Sequence, residues 1–79
     1  MNVGQAIKLC RTRRGISQAD LARQAECSVS YLSMLENNKR DPTLSTMTKI
    51  AHALHMPVGI IFFLGAEGDE DVALQLARS

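Results

Sequence analysis

The sequence has no tryptophan, and aromatic residues fill only 4% of its 79 positions. A core must then be built from Leu, Ile, Val, Ala and Met, which suits packed helices better than a β-sandwich. Cysteine is scarce: there are only Cys10 and Cys27, with no Cys-x-x-Cys, so no disulfide framework is expected. Both read as small buried hydrophobes, Cys10 on an apolar helix face and Cys27 in a tight turn. Long apolar runs are missing too. The longest, Ile60-Ile61-Phe62-Phe63-Leu64, falls far short of the ~20 residues of a membrane span. No basic segment feeding an apolar stretch opens the chain, so no secretory signal is expected. Free thiols without a leader fit a reducing cytoplasm. Nowhere do a nucleophile, a base and an orienting group stand together, which argues against an enzyme. His52 and His55 have no further ligands spaced for a metal. Asp69-Glu70-Asp71 lacks the spacing of a calcium loop and reads as solvated or helix-start charge. No cofactor is expected.

What is present is an ordinary apolar share of 46%, enough for one small folded domain and no second one. A ligand-sensing or self-cleaving domain finds no room, so regulation is expected to act through protein concentration, DNA occupancy or a partner. The net charge of +1 hides an asymmetry. Residues 1–40 carry seven basic against three acidic side chains, a net +4; residues 41–79 carry two against five, a net −3. A basic half points to a polyanion and an acidic tail away from one.

Punctuation divides the chain into short helical pieces. Val3, Ala6, Ile7 and Cys10 make one stripe over about 2–13, with Gly15 as its stop. Ser17 caps a second helix, with Asp20 in the capping-box position, and that helix ends near Gln24. Ser28 caps a third, running to about Glu36 with Leu32 and Leu35 inward. After the polar break Asn37–Pro42, a fourth helix follows Thr43 on the stripe Leu44, Met47, Ile50, Ala51 and Leu54. Pro57 suits the first turn of a fifth, about 57–64, which Gly65 ends. The domain is assigned to 1–65 and an acidic tail to 66–79, with a helix turn or two expected within 71–77. The fold class is all-α, a compact five-helix domain.

The second and third helices, two turns each with a short turn between, follow the helix-turn-helix plan. Leu21, Ala25, Cys27, Leu32 and Leu35 fill the wedge, and Ala22 is small where the third helix crosses. The outward residues of the third helix, Ser28, Val29, Ser30 and Ser33, are short. Short side chains suit a helix that slides into a groove about 12 Å wide.

The sequence resembles the lambda-repressor-like helix-turn-helix family of Cro/CI or XRE type. The carriers are Ile16-Ser17-Gln18-Ala19-Asp20-Leu21-Ala22, then Ser28–Asn37, then Asp41-Pro42-Thr43-Leu44 and Ile50-Ala51-His52-Ala53-Leu54. The resemblance spans 4–64 and implies a DNA-binding domain whose helices 2 and 3 form the motif. One departure stands out: the family usually has Gly at the first turn position, where φ is positive, and this chain has Glu26. A side chain there costs on the order of 1 kcal/mol.

The resemblance also implies roles. Ser28, Val29, Ser30, Ser33 and Met34 would meet base edges in the major groove. Ser17, Gln18, Tyr31, Asn37, Asn38, Lys39 and Arg40 would meet the DNA backbone, while Arg13 and Arg14 remain either contacts or plain surface. Arg11 and Glu36 match positions that form an interhelical ion pair. Lacking Arg, Asn and Gln readers, the surface predicts modest base discrimination, supplemented by DNA shape and bridging water. Pairing over two half-sites roughly 34 Å apart implies a homodimer. In the apolar block, Val58, Ile61 and Phe62 read as inward; Ile60, Phe63 and Leu64 are left outside as the dimer interface, unless Val72, Leu74 and Leu76 fold back over them. The leading expectation is a cytoplasmic, homodimeric, sequence-specific regulator of repressor or controller type, bound to double-stranded DNA and to no membrane. The alternative is an antitoxin-like protein-interaction module with secondary DNA binding, its tail from Glu67 serving a protein partner.

Overall fold

The computed structural model describes residues 2–66. It is all-helical over that span, with α1 Val3–Arg13, α2 Gln18–Gln24, α3 Val29–Glu36, α4 Leu44–Ala53 and α5 Val58–Gly65. The tail assigned to 66–79, its expected helix turns and the fold-back of Val72, Leu74 and Leu76 lie, apart from Ala66, outside the described residues. No single helix among those described is long and apolar enough to cross a membrane.

Each of the first four helices starts on a side-chain cap. The side-chain oxygens of Asn2, Ser17, Ser28 and Thr43 accept from the amides of Gln5, Asp20, Tyr31 and Thr46 at 2.9–3.1 Å. At α1 the cap is reciprocal, because Gln5 Oε1 accepts from the Asn2 amide at 3.2 Å. At α2 it is not. The Asp20 carboxylate, one methylene too short to reach back, accepts from Arg23 at 3.0 Å instead of completing a capping box.

Four helices also stop alike. The backbone turns left-handed at Gly15, Glu26, Asn38 and His55, with φ between 55° and 68°. The next amide then reaches back over the last turn: Ile16 to the Arg11 carbonyl, Cys27 to Ala22, Lys39 to Met34 and Met56 to Ala51, at 2.8–3.1 Å. This is the Schellman stop, and three of its closing residues, Ile16, Cys27 and Met56, pack on the core. Glycine fills only the first; at Glu26 and His55 a full side chain occupies a conformation that disfavours it by about 1–2 kcal/mol.

The core joins Ala6 and Ile7 of α1, Leu21 and Ala22 of α2, Leu32 and Leu35 of α3, Met47, Ile50 and Ala51 of α4, then Leu54 and Ile61. Helix α1 packs on α3 and α5, while α4 packs on α2 and α5, so α2 and α3 are held from both sides. Two glycines permit close approaches. A Cβ on Gly4 would strike the Leu35 carbonyl oxygen, and one on Gly65 would come within 2.6 Å of the Val3 amide nitrogen.

Three apolar positions differ from the sequence reading. Leu44 is exposed although it belongs to the α4 stripe. Helical side chains lean toward the N-terminus, so the first residue of α4 points off the end of the bundle. Phe62, expected inside, is exposed, and Leu64, expected outside, is half-buried against the core. The contact of Gly65 on Val3 fixes the rotation of α5. Its packed row is Val58, Ile61 and Leu64, three residues apart, and Phe62 falls off that row.

Candidate nucleic-acid interface

Eight residues are too few for a self-supporting helix, so α3 owes its position to its neighbours. Leu32 and Leu35 anchor its inner face, both at most 1% exposed. At its C-terminal end Glu36 is buried, and its carboxylate is fully partnered. Arg11 Nε donates to Oε2 at 2.7 Å and the Arg11 terminal Nη2 to Oε1 at 3.1 Å, while Gln18 Nε2 donates to Oε1 at 2.9 Å. The remaining terminal nitrogen of Arg11 donates to the Ile16 carbonyl at 2.9 Å. One carboxylate thus ties together α1, the start of α2 and the end of α3. The forked guanidinium is suited to this because it satisfies both oxygens in fixed geometry. Gln18, expected beside a DNA phosphate, also donates through its side-chain amide to Glu36, and that bond draws the start of α2 to the end of α3 that carries Asn37 and Asn38.

The outward side of α3 is short and uncharged. Val29 and Met34 are 45% and 36% exposed, Ser30 is exposed and Ser33 half-buried. The Asn37 side chain folds back on this helix, Nδ2 donating to the Ser33 carbonyl at 2.9 Å and to Ser33 Oγ at 3.4 Å. Beyond it the left-handed Asn38 turns the chain so that Lys39 and Arg40 stand exposed beside the helix end. The Arg40 guanidinium lies over the Tyr31 ring, 5.8 Å from its centroid. That stacking, the Asn37–Ser33 bonds and the Gln18–Glu36 bond were not found by sequence reasoning. Only the i, i+4 spacing of Ser33 and Asn37 signals any of them. Ser17 and Ser28 cap their helices, which occupies an acceptor site on each hydroxyl and leaves its proton free. Arg13 and Arg14 end α1 in solvent.

Burial pushes both thiols above their ordinary range, against the smaller opposing influence of Arg14 on Cys10 and Lys49 on Cys27. Neither is therefore an activated nucleophile. Among the described residues no three His, Cys, Asp or Glu side chains gather as a metal site.

A short capped helix held on a second by a small-residue crossing, with a polar turn and two cations at its end, is the architecture of a helix-turn-helix domain. The helix-turn-helix family model matches residues 7–61, and the chain belongs to that family, in its Cro/CI or XRE branch. Among curated proteins it is 43% identical over 61 residues to the immunity repressor protein of Bacillus phage phi105, covering 77% of this chain and 42% of the repressor. The chain thus spans less than half the length of that relative. Two solved structures superpose closely. The restriction-modification controller protein C.AhdI of Aeromonas hydrophila gives a TM-score of 0.74 at 32% identity, covering 76% of this chain and 91% of that one. The master regulator for biofilm formation SinR, in complex with DNA, gives 0.71 at 33% identity, covering 75% and 95%.

Proposed function

We propose that the chain is a sequence-specific, double-stranded DNA-binding transcriptional regulator of repressor or controller type, cytoplasmic, acting as a homodimer with α3 in the major groove. The observation that carries this reading is the contrast between the two sides of α3. Its inner side is fixed by Leu32, Leu35 and the Glu36 network, while its outer side offers Val29, Ser30, Ser33 and Met34 without a long charged side chain. A helix serving solvent alone gains from Lys and Glu there; one entering a groove gains from short residues. Ser28 flanks the base-facing surface. Asn37, Asn38, Lys39 and Arg40 take backbone phosphates beside it, Tyr31 adds its hydroxyl under the stacked Arg40, and the first amides of α2 with Ser17 and Gln18 take another phosphate. The second copy docks on α5 through Ile60 and Phe63, with Phe62 beside them and Leu64 at the buried margin; three large apolar side chains there are 39–42% exposed. Similarity to SinR, whose structure is a DNA complex, supports the reading.

The test is footprinting on duplexes enriched from a random pool. Ser30→Glu with Ser33→Glu places two carboxylates against base edges and phosphates. Specific protection is expected to vanish while circular dichroism stays unchanged; a retained footprint refutes the assignment of α3.

A further inference from the structure

The outer face of α3 pairs two chemistries in a way that helix-turn-helix membership does not dictate. Val29, Ser30, Ser33 and Met34 are separated by one, three, four and five positions, so they form one contiguous diamond on the helix surface. Two corners are hydrocarbon and two are hydroxyl. The only charged residue of α3 is Glu36, which is buried and spent on Arg11 and Gln18. The face therefore carries no carboxylate or amide oxygen to accept from a base amino group. Ser33 Oγ already accepts from Asn37 Nδ2 at 3.4 Å, which leaves the hydroxyl proton free to donate outward.

In the major groove guanine shows two acceptors, cytosine an amino donor, and adenine an acceptor and an amino donor. Thymine alone shows an acceptor, O4, beside a C5 methyl. A hydroxyl donor next to an exposed hydrocarbon is the complement of that edge. Building on the reading of α3 as the recognition helix, we propose that this face is a thymine reader. Val29 and Met34 each cover a C5 methyl, and Ser30 and Ser33 donate to O4. Five residues of helix separate the two hydrocarbon corners, about 7.5 Å. The two corners therefore reach different base pairs of one half-site. 5-Methylcytosine bears the same methyl beside an amino group, from which a rotated serine hydroxyl can accept, so the methyl contacts carry the selectivity and the hydroxyls adapt to either edge.

The experiment uses the full chain and duplexes enriched from a random pool. Enrichment is expected to place thymine at two positions of each half-site. Replacing either thymine by deoxyuridine removes only its methyl and is expected to weaken binding about four-fold. In Val29→Ala and in Met34→Ala, both exposed positions, one of the two deoxyuridine effects should disappear. Exchanging a T·A pair for 5-methylcytosine·G keeps the methyl and is expected to bind about four-fold more tightly than the same exchange for unmethylated C·G. Selective binding that ignores deoxyuridine, or enrichment without thymine, overturns the thymine inference while leaving α3 as the recognition helix. Binding of 5-methylcytosine no tighter than that of unmethylated cytosine overturns the methyl contacts of Val29 and Met34. Failure to enrich any duplex overturns the reading of α3 itself, and the inference with it.

Discussion

Arg11→Met isolates the buried charge network that, among the described residues, orients α3. The Glu36 side chain is 1% exposed and that of Arg11 11%, so their pairing is shielded from solvent. Arg11 supplies two of the three hydrogen bonds to the carboxylate, at 2.7 and 3.1 Å, and a third of its own to the Ile16 carbonyl at 2.9 Å. Methionine fills much of the arginine stem's volume but leaves a buried carboxylate with Gln18 as its only partner. Removing one member of a buried pair costs about 3–5 kcal/mol. A domain of this size has roughly 4–12 kcal/mol in total. Urea unfolding followed by circular dichroism should therefore show a large fall in the midpoint, bringing the variant close to unfolded in buffer. Arg11→Met combined with Glu36→Leu removes the orphaned charge as well, and apolar replacement of a whole buried pair is often near neutral. The double variant is expected to regain at least about 2 kcal/mol over Arg11→Met. A loss under about 1 kcal/mol for Arg11→Met, or additive losses in the double variant, would refute the network as the fixture of α3.

Three further outcomes test other parts of the molecule. Glu26→Gly relieves a left-handed residue at φ 58° and gives up only an exposed 3.8 Å pair with Lys49. After the added unfolded-state entropy of glycine is subtracted, thermal unfolding should rise by about 0.5–1 kcal/mol, or a few degrees, and a fall would show that Glu26 is not strained. Lys39→Ala with Arg40→Ala should weaken binding to every duplex alike and flatten the dependence of log K on log salt by about one unit per lost phosphate contact, so an unchanged slope removes both from the interface. Phe63→Asp puts a charge into the exposed α5 patch and should shift sedimentation from dimer to monomer; an intact dimer would place the contact elsewhere.

Most of the fold was legible because local signals agreed with one another. Ser17, Ser28 and Thr43 announce helix starts, Gly15 announces a stop, and the stripes of α1 and α4 repeat at helical spacing. What escaped the sequence was decided between helices. Nothing in the neighbours of Gly4 reveals that its missing side chain admits the Leu35 carbonyl, yet that contact sets how closely α1 lies on α3. The block 58–64 is apolar on every side, so periodicity carries no rotation for α5, and the approach of Gly65 to Val3 supplies it. The left-handed stop at His55 was hidden for a related reason: the tertiary frame imposes a conformation that the residue itself disfavours, whereas the one at Glu26 was signalled by the family resemblance, which sets a positive φ there. At the site, exposure of Val29 and Ser30 followed from helical spacing, while Met34 was placed there only by the family resemblance. The stacking of Arg40 on Tyr31 depends on where the chain turns after Asn38, which no spacing rule encodes.

The division of labour along α3 has a consequence for how the surface evolves new targets. Every contact that fixes the helix uses its inner face or its ends: Leu32 and Leu35 in the core, Glu36 under Arg11 and Gln18, the Ser28 cap and the reach of the Lys39 amide to Met34. None of these uses the side chain of Val29, Ser30 or Met34. Exposed substitutions away from such features typically change stability by under about 0.5 kcal/mol. The reading face can therefore be rewritten at almost no cost to the fold, whereas Gly4, Arg11, Gln18 and Glu36 cannot change singly without moving or loosening the helix. Ser33 is the exception on that face, because its hydroxyl and carbonyl both hold Asn37. A change there alters the chemistry presented to a base and removes the 3.4 Å hydroxyl contact, while the backbone carbonyl keeps its 2.9 Å bond from Asn37, so the coupling to the neighbouring turn is weak.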